Sequence, residues 1–445
     1  MFTLIKNSSI VSEDKIIKAN VLIQDSIIVK IDKDIDIPNP DCKIIDANGL
    51  YLFPGIIDTH VHFREPGLTH KGDIFSESRA AAAGGVTSFI DMPNNIPVAI
   101  TSEILNQKFN IAQEKSLINY SFYIGASQDN INEIQNINVN DVAGIKLFMG
   151  SSTGNLAVKN IKKIEEIFKI SPVNISIHCE DDNIIENNLS QIKKENPALN
   201  INAHHKIRSN EACLNSTKLA IELAQKYDKK IIILHVSTKE EMDLLCELKN
   251  DSRFNNIFEE VCVNYLWQDF YKNKLNYGNK IKCNPAIKLP ADYERLKARA
   301  LAGEIDIIST DHAPHTLEEK QKNYSDAPSG IPSIQHSFLM ILETFASDLT
   351  KIARLMSNNP AKLFQIDRRG FIREGYYADL VLVDINKNHT VDKSNILYKC
   401  RWSPLEGYTF GSKIITTFVN GKIVFSNDKI VEANSAMKLK FNFKK

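Results

Sequence analysis

Short apolar runs punctuate the whole chain, and what separates them changes near residue 54. Before that point the runs Phe2–Lys6, Val21–Ile23, Ile27–Ile31 and Lys43–Asp46 are divided only by polar turns, which predicts a series of short strands. Beyond it, apolar runs alternate with segments of helical period. Strands are predicted at Phe53–Thr59, Thr87–Met92, Asn119–Ile124, Gly144–Phe148, Asn174–His178, Lys230–Val236, Phe258–Val263 and Ile305–Thr310. Helices are predicted between them, as at Ser76–Ala83, Ile161–Phe168, Glu211–Tyr227, Lys239–Leu248 and Ala291–Ala302. Gly84-Gly85 closes the first of these, as glycine after a helix commonly does.

Strands alternating with helices form parallel sheets with crossover helices. Eight such units over about 260 residues match the usual extent of a (β/α)8 barrel, roughly 250 residues. The open doubly wound sheet is the alternative, but no G-x-G-x-x-G follows the first strand of the alternating region. After a helix at Ile352–Leu363 the pattern returns to strands: Leu380–Val383, Ile414–Val419 and Lys422–Phe425. Asn420-Gly421 joins the last two as a hairpin. The expected α/β architecture is a TIM barrel over residues 54–369, with a small β-sandwich domain formed by the two chain ends, residues 1–53 and 370–445.

The 445 residues carry 54 Lys+Arg and 54 Asp+Glu, so the net charge is zero and no basic surplus points to nucleic acid. The seven cysteines are scattered without C-x-x-C spacing, the usage of a reduced, cytoplasmic protein. No long apolar leader opens the chain, and no run reaches the length of a membrane span.

The chemistry concentrates at strand ends. In "GIIDTHVHFREPG", His60 and His62 stand two residues apart, on the same side of a strand, while Val61 faces the packing side. Barrel chemistry sits at the C-terminal ends of the strands. Other predicted strands carry Lys146 in "GIKLFMG", His178 in "ISIHCED", His235 in "IIILHVS" and Asp311 in "IISTDHAPH". Imidazole nitrogen and carboxylate oxygen suit a divalent ion such as zinc. Four histidines and Asp311 exceed the three protein ligands of one catalytic zinc, so two ions about 3.5–4 Å apart, with a hydroxide between them, are expected. Such a pair needs an anionic bridge, which Lys146 supplies if CO2 carboxylates its nitrogen to a carbamate. Arg64 offers a planar fork suited to a carboxylate.

Over nearly its full length the chain resembles the dihydroorotases of the amidohydrolase superfamily. The likeness is carried by "PGIIDTHVHFREPG", "AAAAGGVTSFIDMPNN", "GIKLFMGSSTGN", "IHCED", "IRSNEAC", "ILHVST", "KCNPAIK", "STDHAPH", "APSGIP" and "NPAKLF". It implies that His60 and His62 ligate one metal, His178 and His235 the other, and that Asp311 is the catalytic aspartate as well as a ligand of the first. It implies substrate-binding positions at Arg64, Asn94, Asn284 and His315. The implied reaction is the reversible interconversion of (S)-dihydroorotate and N-carbamoyl-L-aspartate in pyrimidine biosynthesis. Many members with the "HVHFREPG" motif have aspartate where Lys146 falls, but "GIKLFMGSSTGN" offers no carboxylate in its place.

Hydantoinases, dihydropyrimidinases and allantoinases are the nearest rivals, sharing the metals but not normally an arginine directly after "HVHF". A non-catalytic dihydroorotase-like scaffold is a rival of another class; such relatives usually lose ligand histidines, and this chain keeps them all. The partner expected throughout is a small molecule. A homodimer and an association with aspartate transcarbamoylase stay open. "GSSTGN", residues 150–155, is expected to be a lid whose Ser152 and Thr153 reach the substrate. His312 is expected to point away from the site. His70, His204, His336 and His389 are expected to be structural or surface residues, and Asp58 either caps its strand or orients a ligand histidine.

Overall fold

The computed structural model describes residues 1–150 and 156–443; Ser152 and Thr153 lie outside the described residues. The N-terminal strands are β1 (Phe2–Val11), β2 (Ile16–Gln24), β3 (Ile27–Asp32), β4 (Lys43–Asp46) and β5 (Tyr51–Pro54). The next strands are β6 (Ile56–Val61), β7 (Val86–Asp91), β8 (Asn119–Phe122), β9 (Ile124–Gly125) and β10 (Ile145–Phe148). They are followed by β11 (Ile175–His178), β12 (Ile231–Ile233), β13 (Ile257–Cys262) and β14 (Ile307–Ser309). The C-terminal part contributes β15 (Leu380–Asp384), β16 (His389–Thr390), β17 (Thr409–Phe410), β18 (Lys413–Val419), β19 (Lys422–Ser426) and β20 (Lys429–Ile430).

Parallel ladders run β6–β7–β8 and β9–β10–β11–β12–β13–β14. β8 and β9 are one barrel strand interrupted at Tyr123, and the Ala143 amide donates to Phe122 O at 3.1 Å across that gap. The other seam closes where His62 N–H donates to His312 O at 2.7 Å. The result is the expected TIM barrel. Its strands are buried on both faces, as in β6, β7 and β10, which is why they read as continuous apolar runs rather than alternating ones.

The helices bury one stripe each against the barrel. In the helix Ser102–Lys115, Thr101 caps the start by accepting from Ile104 N–H, and Leu105, Lys108, Phe109 and Ala112 form the buried face. Lys108 is fully buried because its ammonium meets Asp91 Oδ2 at 2.6 Å, Asn95 Oδ1 at 2.6 Å and Met92 O at 2.9 Å. Asp91 Oδ1 in turn accepts from Phe63 N–H at 2.7 Å. This buried pair therefore anchors the backbone one residue before Arg64.

The two chain ends meet in one nine-stranded sheet, ordered β20-β19-β18-β15-β5-β1-β2-β3 with β4 on β1. N- and C-terminal strands join where β15 pairs antiparallel with β5. Strand alternation divides the side chains. Leu52, Leu380, Leu382 and Phe418 fill the small domain's own core, while Phe53, Val381 and Val383 belong to the barrel's. The single strand expected at Phe53–Thr59 is two: Pro54 ends β5 and Ile56 begins β6. Gly55 makes the crossing, and a Cβ there would sit 2.1 Å from Thr87 Oγ1. The hairpin at Asn420-Gly421 forms as expected between β18 and β19, with φ of +50° and +78°. Among the described residues no helix is long and apolar enough to cross a membrane.

Candidate active site

All ten described residues that the sequence singled out as ligands or substrate contacts line one cavity of about 210 Å³ at the C-terminal mouth of the barrel. They are the expected ligands His60, His62, Lys146, His178, His235 and Asp311 and the expected substrate contacts Arg64, Asn94, Asn284 and His315. Three of them leave their strands in left-handed backbone: Arg64 at φ +68°, His235 at +42° and Asp311 at +49°. That conformation costs a non-glycine residue roughly 1–2 kcal/mol. Here it turns the side chain at the end of a strand into the mouth of the barrel, and three strained residues in one cavity mark it as a candidate functional site.

The imidazoles are oriented from behind. His60 Nδ1 donates to Glu260 Oε1 at 2.7 Å, and His62 Nδ1 to Asn94 Oδ1 at 2.7 Å. Each ring is left with a bare Nε2, and these lie 3.3 Å and 3.0 Å from Asp311 Oδ1. His178 Nε2 donates to Glu180 Oε2 at 3.0 Å, so its Nδ1 faces His235 Nε2 at 2.9 Å. The two sets adjoin, with the rings of His60 and His235 centred 5.4 Å apart.

Three acceptors, His60 Nε2, His62 Nε2 and Asp311 Oδ1, converge with no donor among them. Such a set repels itself unless a cation lies between, so the residues present fit a divalent ion. Burial lowers the pKa of His62, His178 and His235, which keeps them neutral and able to ligate. Burial alone would raise Asp311, yet the positive charge near it, that of Lys146 included, holds the carboxyl below its usual range. A second cluster of His60, Glu260 and Cys262 is not a metal set. Glu260 is engaged by the Nδ1 side of His60, and burial pushes the Cys262 thiol far up, keeping it protonated.

Lys146 is 1% exposed and its Nζ has no hydrogen-bond partner. Burial pushes its pKa down to about 8. An orphaned amine with a depressed pKa, close enough to His178, His235 and Asp311 to perturb all three, fits a lysine that carries a carbamate. Arg64 is 5% exposed, donates from Nε to Pro314 O at 3.0 Å, and lies with Nη2 3.1 Å from His315 Nε2. Asn284 Oδ1 accepts from Ser329 Oγ at 3.0 Å.

Two buried carboxylates that sequence reasoning passed over organise the candidate ligand histidines. Glu180 follows His178 by two residues, the spacing that relates His60 to His62, and pairs with Arg208. Glu260 interrupts the apolar run of β13, and a buried acid there required a partner. Asp58 resolves to a cap: it accepts from His60 N–H and from the Thr310 amide and hydroxyl, and burial pushes it up to about 7. His312 points away from the cavity, with Nε2 on Glu77 at 2.9 Å. His204 is buried as expected, yet its Nε2 also touches Asn284 Oδ1 at 3.1 Å, so it supports a cavity residue.

The amidohydrolase family model matches residues 51–424. The chain is similar to a dihydroorotase of Methanosphaera stadtmanae, 32% identical over 426 residues, which cover 94% of this chain and 95% of that protein. It is also similar to an allantoinase of Desulfitobacterium hafniense, 28% identical over 444 residues and covering 96% of each. Among solved structures, an L-hydantoinase (dihydropyrimidinase) from Arthrobacter aurescens superimposes with a TM-score of 0.93 at 25% identity, over 99% of this chain and 100% of that one.

Proposed function

The chain belongs to the amidohydrolase family, and on that premise we propose that it is a dihydroorotase, interconverting (S)-dihydroorotate and N-carbamoyl-L-aspartate in de novo pyrimidine biosynthesis. The observation that carries the reading is Arg64. A buried guanidinium opens into the same cavity as the ligand histidines, where it suits the carboxylate of a dihydroorotate ring. His315 and Asn94 line the same cavity.

Two divalent ions, most simply zinc, would be held by His60, His62, His178, His235 and Asp311, together with Lys146 in carboxylated form. When bound they acidify a water and polarise the ring carbonyl. The chain's own residues do the rest. Arg64 fixes the ring by its carboxylate, which sets the orientation of the scissile amide. Asp311, held ionised beside His60 and His62, takes the proton of the attacking water on a carboxylate oxygen. It then delivers that proton to the amide nitrogen as the C–N bond breaks. Ring closure is the same path reversed.

The likeness to an allantoinase and to an L-hydantoinase supports a second reading, a cyclic amidohydrolase acting on a ring without a carboxylate. Comparing kcat/KM for dihydroorotate, dihydrouracil, hydantoin and allantoin with the purified, metal-loaded protein decides between them. Dihydroorotate should lead by orders of magnitude. A preference for any of the other three overturns the proposal.

A further inference from the structure

Asn284, which lines the cavity, stands at the end of a buried chain of hydrogen bonds. His204, in the helix Ile201–Ile207, is 5% exposed and meets protein at both ring nitrogens. Nδ1 lies 2.7 Å from the Tyr324 hydroxyl, and Nε2 lies 2.9 Å from Cys283 O and 3.1 Å from Asn284 Oδ1. The Ser329 hydroxyl is the other neighbour of Asn284 Oδ1, at 3.0 Å.

Burial, together with the charge of Arg208, pushes the His204 pKa down to about 3, so at neutral pH the ring carries one proton. One contact decides where. Cys283 O is a backbone carbonyl and can only accept, so the nitrogen 2.9 Å from it holds the proton. With the proton on Nδ1, two lone pairs would face each other there in a buried place. The Tyr324 hydroxyl can donate or accept, and it donates to the bare Nδ1.

The same logic passes to the amide. Asparagine carries an acceptor oxygen at one tip and a donor NH2 at the other, and a half-turn exchanges them. The Ser329 hydroxyl suits either tip, since it can donate or accept. His204 Nε2–H suits only the oxygen. Among the described residues none accepts from Asn284 Nδ2, which is left to donate into the cavity.

We infer that His204 is a positioning residue that holds the Asn284 amide with its NH2 turned to substrate, as a donor to a ring carbonyl oxygen. The inference rests on the cavity being the substrate site of a cyclic amidohydrolase and on no particular ring. Dihydroorotate, dihydrouracil, hydantoin and allantoin all carry ring carbonyls that would accept.

The test uses the full, zinc-loaded protein with nitrogen-15-labelled histidine, the His204 ring signals being identified by their loss in His204→Gln. The proton should sit on Nε2. In His204→Phe, which has no donor to give Asn284, KM for the preferred ring should rise about threefold to tenfold, the scale of one hydrogen bond. kcat should change less. His204→Gln, which can put an N–H near the place of Nε2, should recover much of the loss. In an Asn284→Ala background His204→Phe should add nothing, because its effect runs through that amide. A proton on Nδ1 overturns the inference. So does a KM that stays put in His204→Phe, or one that rises as much when Asn284 is already alanine, which would make His204 structural. If hydantoin or allantoin is the preferred ring, the dihydroorotase reading falls, and the same KM pattern on that ring upholds the role of His204.

Discussion

Glu260 Oε1 lies 2.7 Å from His60 Nδ1, and the same oxygen accepts the backbone N–H of His235 at 3.3 Å. One buried carboxylate thus orients the ring of one candidate ligand histidine and the backbone of another. Partners of this kind, behind the ligands, typically account for 10–100-fold in metal affinity or activity. Glu260→Gln keeps the shape but weakens the acceptor. It should release metal about ten- to a hundredfold more readily to a competing chelator, measured by titration. Unchanged affinity would reduce Glu260 to packing.

Lys146 should be needed for the metals as well as the rate. Elemental analysis of active protein should give close to two divalent ions per chain. Lys146→Ala should lose metal and activity together, with partial recovery when a short carboxylic acid such as propionate fills the gap. Normal metal content and rate in Lys146→Ala would sink the carbamate bridge, and one ion or fewer in active protein would sink the binuclear site.

Arg64 should discriminate between substrates rather than drive the chemistry. A hydrogen bond to a charged group contributes about 1.5–3 kcal/mol, and each 1.36 kcal/mol is about tenfold in rate. Arg64→Ala should therefore lower kcat/KM for dihydroorotate at least about tenfold, and lower it far less for hydantoin. Taking the ratio of the two losses cancels general damage to folding or metal binding. Equal losses on both rings would make Arg64 structural and remove the main chemical support for dihydroorotate.

His336, remote from the cavity, should shape acid stability. Burial pushes its pKa down to about 3, well below the value of an exposed imidazole, about 6.5. The folded state keeps the ring neutral while the unfolded chain protonates it. Its contribution is therefore fully present above about pH 6.5 and is lost as pH falls toward 3. One proton over the 1.5 units from about 6.5 to 5 amounts to about 2 kcal/mol. Urea unfolding at pH 7 and pH 5 should show a drop in stability that is smaller by about that amount in His336→Phe. Equal pH dependence in the two proteins would show that His336 takes up its proton while folded.

Much of the site was legible because its spacing obeys the geometry of a strand. His60 and His62 share a face because the side-chain period is two, and His178, His235 and Asp311 could be sought at strand ends because barrels place chemistry there. The same rule would have found Glu180, two residues beyond His178. Glu260 was less visible, since an acid inside an apolar run says that it needs a partner without saying which. The break at Gly55 was hidden because it answers a contact with Thr87, a residue far along the chain.

By itself the sequence determined the alternating strands and helices, the small β-domain drawn from both ends, and the residue types gathered for the site. Those are local periodicities and side-chain chemistries, written in consecutive residues. Tertiary structure alone decided which nitrogen of His60, His62 and His178 faces the cavity. It did so by setting Glu260 behind His60, Asn94 behind His62 and Glu180 behind His178. It likewise turned Arg64, His235 and Asp311 into the mouth through left-handed backbone, and brought His204 to Asn284 across 80 positions of chain. A proton's place on an imidazole is set by what stands within hydrogen-bond reach of each nitrogen, and only the closed barrel brings those partners there.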